Sequence, residues 1–225
     1  LLEPPRTEAR GVLVTRPGPG AAETAGRLTA LGWAPVLAPM LSIAPRAPRL
    51  PPPDAVQAIL VASGNALACV PASHLHLPLL AVGDATAARA RAAGFTTVDS
   101  ADGDATDLAS LAARLCDPEG RPLLTLAGEG HGLPLAETLR AAGFSVLRRV
   151  AYASAPATSL PDAARAALDG GALAAAMFFS SKAARAFVAL AQDAPGSLRE
   201  MHALAIGRTA AVALGALPWR SVRTA

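Results

Sequence analysis

Lysine is nearly absent from this chain: Lys182 stands alone beside 19 arginines. Cysteine is scarce too. Cys69 and Cys116 form no CxxC pair, and no histidine cluster sits at metal-ligand spacing, so neither a disulfide framework nor a zinc site is expected. There are eight aromatics in 225 residues (five Phe, two Trp, one Tyr). The longest uninterrupted apolar run, Ala172 to Phe179, has eight residues, far short of the roughly 20 a spanning helix needs. The mean hydropathy of +0.36 therefore reflects 56 alanines and not a membrane segment. Charge is 20 basic against 17 acidic; that small excess, with no basic run or RNA-binding motif, excludes a nucleic-acid partner. The opening LLEPPRTEAR carries two prolines and four charges and reads as neither signal peptide nor anchor. These exclusions leave a globular α/β chain of a reducing compartment, with a length between one large domain and two small ones.

Familiar chemical motifs are missing as well. No GxGxxG follows a strand; the glycines of RPGPGAAETAG (16–26) come after GVLVT but in the wrong pattern for a dinucleotide loop. There is no Walker loop, no nucleophile elbow and no paired-carboxylate site. His74, His76, His131 and His202 lack carboxylates at ligand spacing, and His74-x-His76 lies in the loop-like PASHLHLP. The two cysteines read as ordinary small hydrophobes.

What is present is a recurring phrase, an alanine-rich helix ending in glycine and running straight into a strand. It reads TALGWAPVL (29–37), RAAGFTTV (91–98) and RAAGFSVL (140–147), with a weaker echo in ALGALPWRSV (213–222). Glycine after the last helical turn adopts the left-handed conformation without a Cβ clash, which is the expectation for Gly32, Gly94, Gly143 and Gly215. Buried-strand runs accompany these phrases: GVLVT (11–15), AILVA (58–62), LLAV (79–82), LLTLA (123–127), AAMFF (175–179) and ALAI (203–206). Strands alternating with short helices mean βα units and largely parallel sheets.

The chain shows where it divides. Residues 39–53 hold six prolines and no helical period, an extended connector. A second long strand from Ser145 ends in SAPATSLP. The expected division is a discontinuous α/β domain one, 1–42 with 154–225, and an α/β domain two, 43–153, with connectors near 39–53 and 148–156. The two blocks echo each other: AILVASGNALA parallels AAMFFSSKAARA, a strand running through Ser into a helix, and AVGDATAARARAAGF parallels AIGRTAAVALGAL. That repetition predicts a duplicated site.

In an open parallel sheet, ligands bind at the carboxyl ends of the strands. The small hydroxyl and glycine turns fall there: Thr15-Arg16-Pro17, Ser63-Gly64-Asn65, Gly83 to Thr86 and Gly128-Glu129 in one set, Ser180-Ser181-Lys182 and Gly207-Arg208-Thr209 in the other. Free amides at such helix starts suit carboxylates and phosphates. Two such edges across a cleft would grip a large polyanion.

The ordered set of motifs resembles the uroporphyrinogen-III synthase family over nearly the whole chain. It comprises the strand–T-R-P–helix opening, APVLAPMLSIAP, S-x-N-A (Ser63, Asn65, Ala66) and A-V-G-x-x-T-A (Ala81 to Ala87). It continues through L-x-G-E (Gly128, Glu129), V-x-Y (Val150, Tyr152), F-F-S (Phe178 to Ser180) and A-I-G-x-T (Ala205 to Thr209). The resemblance implies two flavodoxin-like parallel-sheet α/β domains joined by a two-stranded linker, the first discontinuous. It also implies a cofactor-independent cytoplasmic lyase that cyclises the polycarboxylate hydroxymethylbilane with loss of water and inversion of ring D. It implies a transient contact with the preceding pathway enzyme, and no nucleic-acid or membrane partner.

Tyr152, the sole tyrosine, falls where the family has its own, on the return linker, and a phenol there can protonate the departing hydroxyl. The alternative for this side chain is linker packing. Thr15, Arg16, Ser63, Asn65, Gly83, Thr86, Gly128, Glu129, Ser180, Ser181, Gly207 and Thr209 are the candidate substrate contacts. Two departures stand out. Ala210 occupies the position where the family often has threonine, and the sequence stops at Ala225, soon after the strand-like WRSVRTA, without the final helix family members usually carry. The competing class is a non-enzymatic two-lobed anion-binding module. A two-lobed nucleotide-sugar transferase ranks third for want of a diphosphate loop.

Overall fold

The structure, a computed structural model, describes residues 11–18, 20–193 and 195–225. The opening LLEPPRTEAR, read above as neither leader nor anchor, lies outside the described residues. By packing, the chain forms two compact units, one from the described residues up to Ser42 together with Ala155–Ala225, the other Ile43–Ser154.

The chain starts the first unit with β1 (Gly11–Val14), α1 (Gly20–Ala30) and β2 (Ala34–Leu37). It leaves along β3 (Leu41–Pro45) and builds the second unit from β4 (Ala58–Val61), β5 (Leu79–Ala81), α2 (Asp84–Ala92), β6 (Val98–Ser100), α3 (Ala105–Leu115), β7 (Leu123–Gly128) and α4 (Leu133–Ala141). The long β8 (Val146–Pro156) carries it back. The first unit is then completed by α5 (Asp162–Asp169), β9 (Leu173–Phe178), α6 (Ser181–Leu190), α7 (Pro195–Leu198), β10 (His202–Ala205), α8 (Arg208–Leu214) and β11 (Ser221–Thr224).

The first unit's sheet runs β2-β1-β9-β10-β11, every neighbour parallel. Counted within the unit, that is the flavodoxin-like order 2-1-3-4-5. Both faces are covered, so the strands read as continuous apolar runs. Leu13, Ala176, Phe178 and Ala203 face one layer, while Val12, Val14 and Ala175 face the layer with α1. Three aromatics anchor the first of these layers. Phe178 meets Phe187 edge-on at 5.3 Å, Phe187 stacks on Trp219 at 5.6 Å, and the indole N–H of Trp219 donates to the Leu214 carbonyl at 3.0 Å.

The second unit's sheet runs β3-β8-β7-β4-β5-β6, with β8 to β6 parallel throughout. Without β3 this is the order 3-2-1-4-5, the other common doubly wound arrangement. The amide of Arg46 donates to the Ala151 carbonyl at 2.8 Å, and that of Ala157 to the Met40 carbonyl at 2.9 Å. One number falls as the other rises, so β3 and β8 are antiparallel. They are the two strands on which the chain leaves and re-enters the first unit.

Gly32, Gly94 and Gly143 are left-handed, at φ 80°, 100° and 91°. Gly215 is not: it ends α8 at φ −61°, and the following turn tightens through the Leu217 amide on the Leu214 carbonyl. The chain keeps its right-handed sense there, burying Leu217, so no left-handed reversal is needed. The turn at Ser63 also differs from its echo. Residues Gly64–Cys69 form a 3₁₀ stretch, not the α-helix that follows Ser180. Val70-Pro71 explains it, because a residue before proline is driven out of the helical region and proline supplies no amide to continue the ladder.

Candidate ligand edges of the two units

Parallel strands end at one edge, so the sheet orders alone gather the candidate residues into two sets. In the first unit the strand order reverses between β1 and β9. Thr15 and Arg16 follow β1, Ser180 and Ser181 follow β9, and Gly207 and Thr209 follow β10. In the second unit the reversal lies between β4 and β7, with Ser63 and Asn65 after β4 and Gly83 and Thr86 after β5. Gly128 closes β7, Glu129 follows it, and Tyr152 stands level with Gly128 on β8. Switch points are where doubly wound sheets leave a crevice.

Not every candidate presents its side chain there. Thr15 is fully buried, and its hydroxyl donates to the Met177 carbonyl at 2.7 Å, strapping β1 to β9. Ser180 caps α6 by accepting from the Ala183 amide at 3.1 Å, and Ser63 accepts from the Asn65 amide at 3.3 Å. Thr86 is half-buried beside Gly83. Its counterpart by spacing, Ala210, is buried in the core, while Thr209 is exposed. A hydroxyl is therefore available at this turn in the second unit, and in the first only from the displaced Thr209.

Arg16 is held in place from three sides. Its guanidinium lies over the Phe179 ring, 4.6 Å from the centroid, and donates to the Thr24 hydroxyl at 3.4 Å. A Cβ on Gly20 would fall 2.6 Å from it, so that glycine leaves the space the arginine uses. Next to it, on the α1 side of β9 to β11, is a concavity of about 300 Å³ lined by Met177, Phe179, Leu204, Ile206 and Arg223. Ile206, at the β10 end, is 57% exposed.

In the second unit Tyr152 is half-buried against the apolar cluster of Val61, Ala66, Leu124 and Leu126. Its hydroxyl makes no hydrogen bond to another described residue. Glu129 is exposed, with a carboxylate oxygen 4.0 Å from Arg46. Two arginines were missed in the sequence. Arg89 lies over Gly64, whose added Cβ would sit 2.7 Å from its Cδ and 3.0 Å from Nη1. The pattern Thr86-x-x-Arg89 could have found it, since residues three apart share a helix face. Arg148 reaches the carbonyls of Gly128 and His131, a contact with no local sequence signal.

A model of the uroporphyrinogen-III synthase (HemD) family matches residues 22–225. The chain belongs to the uroporphyrinogen-III synthase family. That family consists of lyase-type enzymes of tetrapyrrole synthesis acting on a tetrapyrrole substrate. Among solved structures, the uroporphyrinogen-III synthetase of Helicobacter pylori is similar in fold. It shares a TM-score of 0.61 and 16% identity over 96% of this chain and 93% of that one. The wild-type uroporphyrinogen III synthase of Thermus thermophilus aligns at 23% identity over 94% and 91%, with a TM-score of 0.41. Among curated proteins none matches the chain.

Among the remaining polar groups of this uroporphyrinogen-III synthase family member, His74 has structural partners on both ring nitrogens. His74 is buried, with Nε2 2.9 Å from the Pro51 carbonyl and Nδ1 3.0 Å from the Ser73 hydroxyl. Cys69 and Cys116 are half-buried, and burial pushes both thiols up. Among the described residues no three His, Cys, Asp or Glu side chains could hold a metal, and no helix is long and apolar enough to cross a membrane.

Proposed function

We propose that this chain closes linear hydroxymethylbilane to uroporphyrinogen III, with Tyr152 as proton donor to the departing hydroxyl. The family match across residues 22–225 carries the overall reaction, and the half-buried Tyr152 on the linker strand, its hydroxyl bonded to no other described residue, supports its assignment as donor. The pyrrole nitrogen beside the hydroxymethyl group pushes its electron pair toward the C–O bond. As that bond breaks, the phenolic proton passes to the leaving oxygen and water departs; the pyrrole N–H proton then returns to the phenolate, leaving a neutral azafulvene. Ring D then attacks the exocyclic methylene through its substituted carbon to a spiro intermediate. The bond from that carbon to the neighbouring ring's methylene breaks, and ring D's other α-carbon takes up the freed methylene. Loss of that carbon's proton leaves the macrocycle closed with ring D inverted. The substrate supplies the electrons, so the protein's share is placement and electrostatics.

Arg16 and Arg89 are the carboxylate contacts we assign beside the turns at Ser63, Asn65, Gly83, Thr86, Gly128 and Glu129 and at Ser180, Ser181, Gly207 and Thr209. A planar guanidinium pairs a carboxylate at two points, and both arginines lie over a glycine that leaves them room. A cytoplasmic site of action, no cofactor, and a passing contact with the enzyme that delivers the bilane belong to the same reading.

The test is turnover of freshly prepared hydroxymethylbilane with product analysis. The expected result is a ratio of type III to type I isomer far above that of the protein-free reaction. An unchanged ratio would sink the proposal.

A further inference from the structure

We infer that Gly128 is a positioning residue for Tyr152, and that a bulge in β8 and a clamp by Arg148 complete the device that sets where the phenol lies. This rests on the reading of Tyr152 as proton donor.

Along β7 and β8 the register pairs Leu126 with Arg149 and Ala127 with Val150, then jumps to pair Gly128 with Tyr152. Ala151 is the extra residue. In a regular strand Ala151 and Tyr152 would point to opposite faces, because successive side chains alternate. Here both pack on the same apolar cluster. A bulge re-aims a side chain in this way. Beyond the bulge the Glu129 amide donates to the Tyr152 carbonyl at 2.8 Å, so the tyrosine's backbone is secured by the residue after Gly128.

Gly128 provides the space for the ring. A Cβ added there would lie 2.7 Å from the phenol Cζ, 2.8 Å from Cε2 and 3.0 Å from the hydroxyl oxygen. These are the atoms at the reactive end of the ring. Backbone conformation gives glycine no advantage at this position, since Gly130 and Gly132 are left-handed at φ 74° and 79° and Gly128 is not. The demand is for an absent side chain. Arg148 holds the turn that follows Gly128 at the end of β7. Its Nε donates to the His131 carbonyl at 2.9 Å and its Nη2 to the Gly128 carbonyl at 3.4 Å, tying both ends of the Gly128–His131 turn.

Gly128→Ala should therefore push the hydroxyl aside by roughly 1 Å, a misplacement that costs on the order of 10²-fold in kcat. The only tyrosine in the chain makes the displacement readable: 3-fluorotyrosine incorporation yields one ¹⁹F resonance from the folded protein. Expected are a shifted resonance in Gly128→Ala, a kcat loss with KM little changed, and no further kcat loss when Gly128→Ala is added to Tyr152→Phe. Arg148→Met, at a half-exposed site, should shift the resonance in the same direction with a loss of about tenfold, and it serves if the alanine variant does not fold. An unmoved resonance in both variants overturns the inference. So does an alanine penalty of equal size in the Tyr and Phe backgrounds, because Gly128 would then act by another route. Full turnover by Tyr152→Phe alone removes the proton-donor reading, and with it any catalytic meaning of the seat, while the resonance still reports the packing.

Discussion

The roles proposed for Tyr152 and Arg16 are of two kinds, one exerted in the transition state and one throughout binding. If the phenol protonates the leaving hydroxyl, Tyr152→Phe should lower kcat on the order of 10²-fold at unchanged thermal stability, the low end for a general acid. Residual type III synthesis should persist, because the pyrrole can expel hydroxide unaided; single-turnover kinetics would show it. If Arg16 pairs with a carboxylate remote from the reacting bond, its removal should be felt in KM. Arg16→Met is expected to raise KM about tenfold with kcat little altered, as loss of uniform binding requires. Lysine should restore little of this, since a point-like ammonium stacks poorly on Phe179 and cannot make the planar fork. Arg89→Met should behave like Arg16→Met, and titration of product against each variant would separate the two effects.

At the scale of the element, the strand-to-helix turns have two roles, and substitutions there will show both. Ser180 caps α6 through the Ala183 amide; Ser180→Ala should destabilise by about 1 kcal/mol, seen in urea unfolding, apart from any effect on substrate. α3 opens with a capping box between Asp104 and Asp107, with both reciprocal bonds present. The backbone amides of Thr106 and Asp107 hold the Asp104 carboxyl below its ordinary value. Its contribution is thus full above the unfolded carboxylate range and lost as pH falls through the lower folded value. His202 behaves as a base with a depressed folded value. Burial and the charges of Arg220 and Arg223 favour its neutral ring, which meets the Ser221 hydroxyl at 2.7 Å. The unfolded chain therefore takes up the proton first, and stability falls as pH drops from about 6.5 through the folded value. Thermal melts between pH 7 and 5 should show this slope, and His202→Asn should flatten it.

For the whole molecule, recognition of a polycarboxylate by arginines and backbone amides should be salt-sensitive, because screening grows with ionic strength. Affinity for uroporphyrinogen III, measured calorimetrically, is expected to fall several-fold between low salt and about 0.5 M; an unchanged affinity would remove the arginines from the binding account. Much of the architecture was legible in the sequence because it is local. Glycine after a helix, prolines in a connector, apolar runs of strand length and a Ser before a helix each act over a few residues, and Gly32, Gly94 and Gly143 took the conformation that reading required. The family resemblance could be read the same way, from ordered short motifs. What the sequence could not decide depends on residues brought together from afar. The strand order of the second unit, the loss of Thr15's hydroxyl to Met177, and Gly215's right-handed turn follow from packing and register. The seat of Tyr152 on Gly128 joins residues 24 positions apart through a one-residue bulge. No periodicity records such a shift, because it is set by how two strands pair, and pairing exists only in the folded chain.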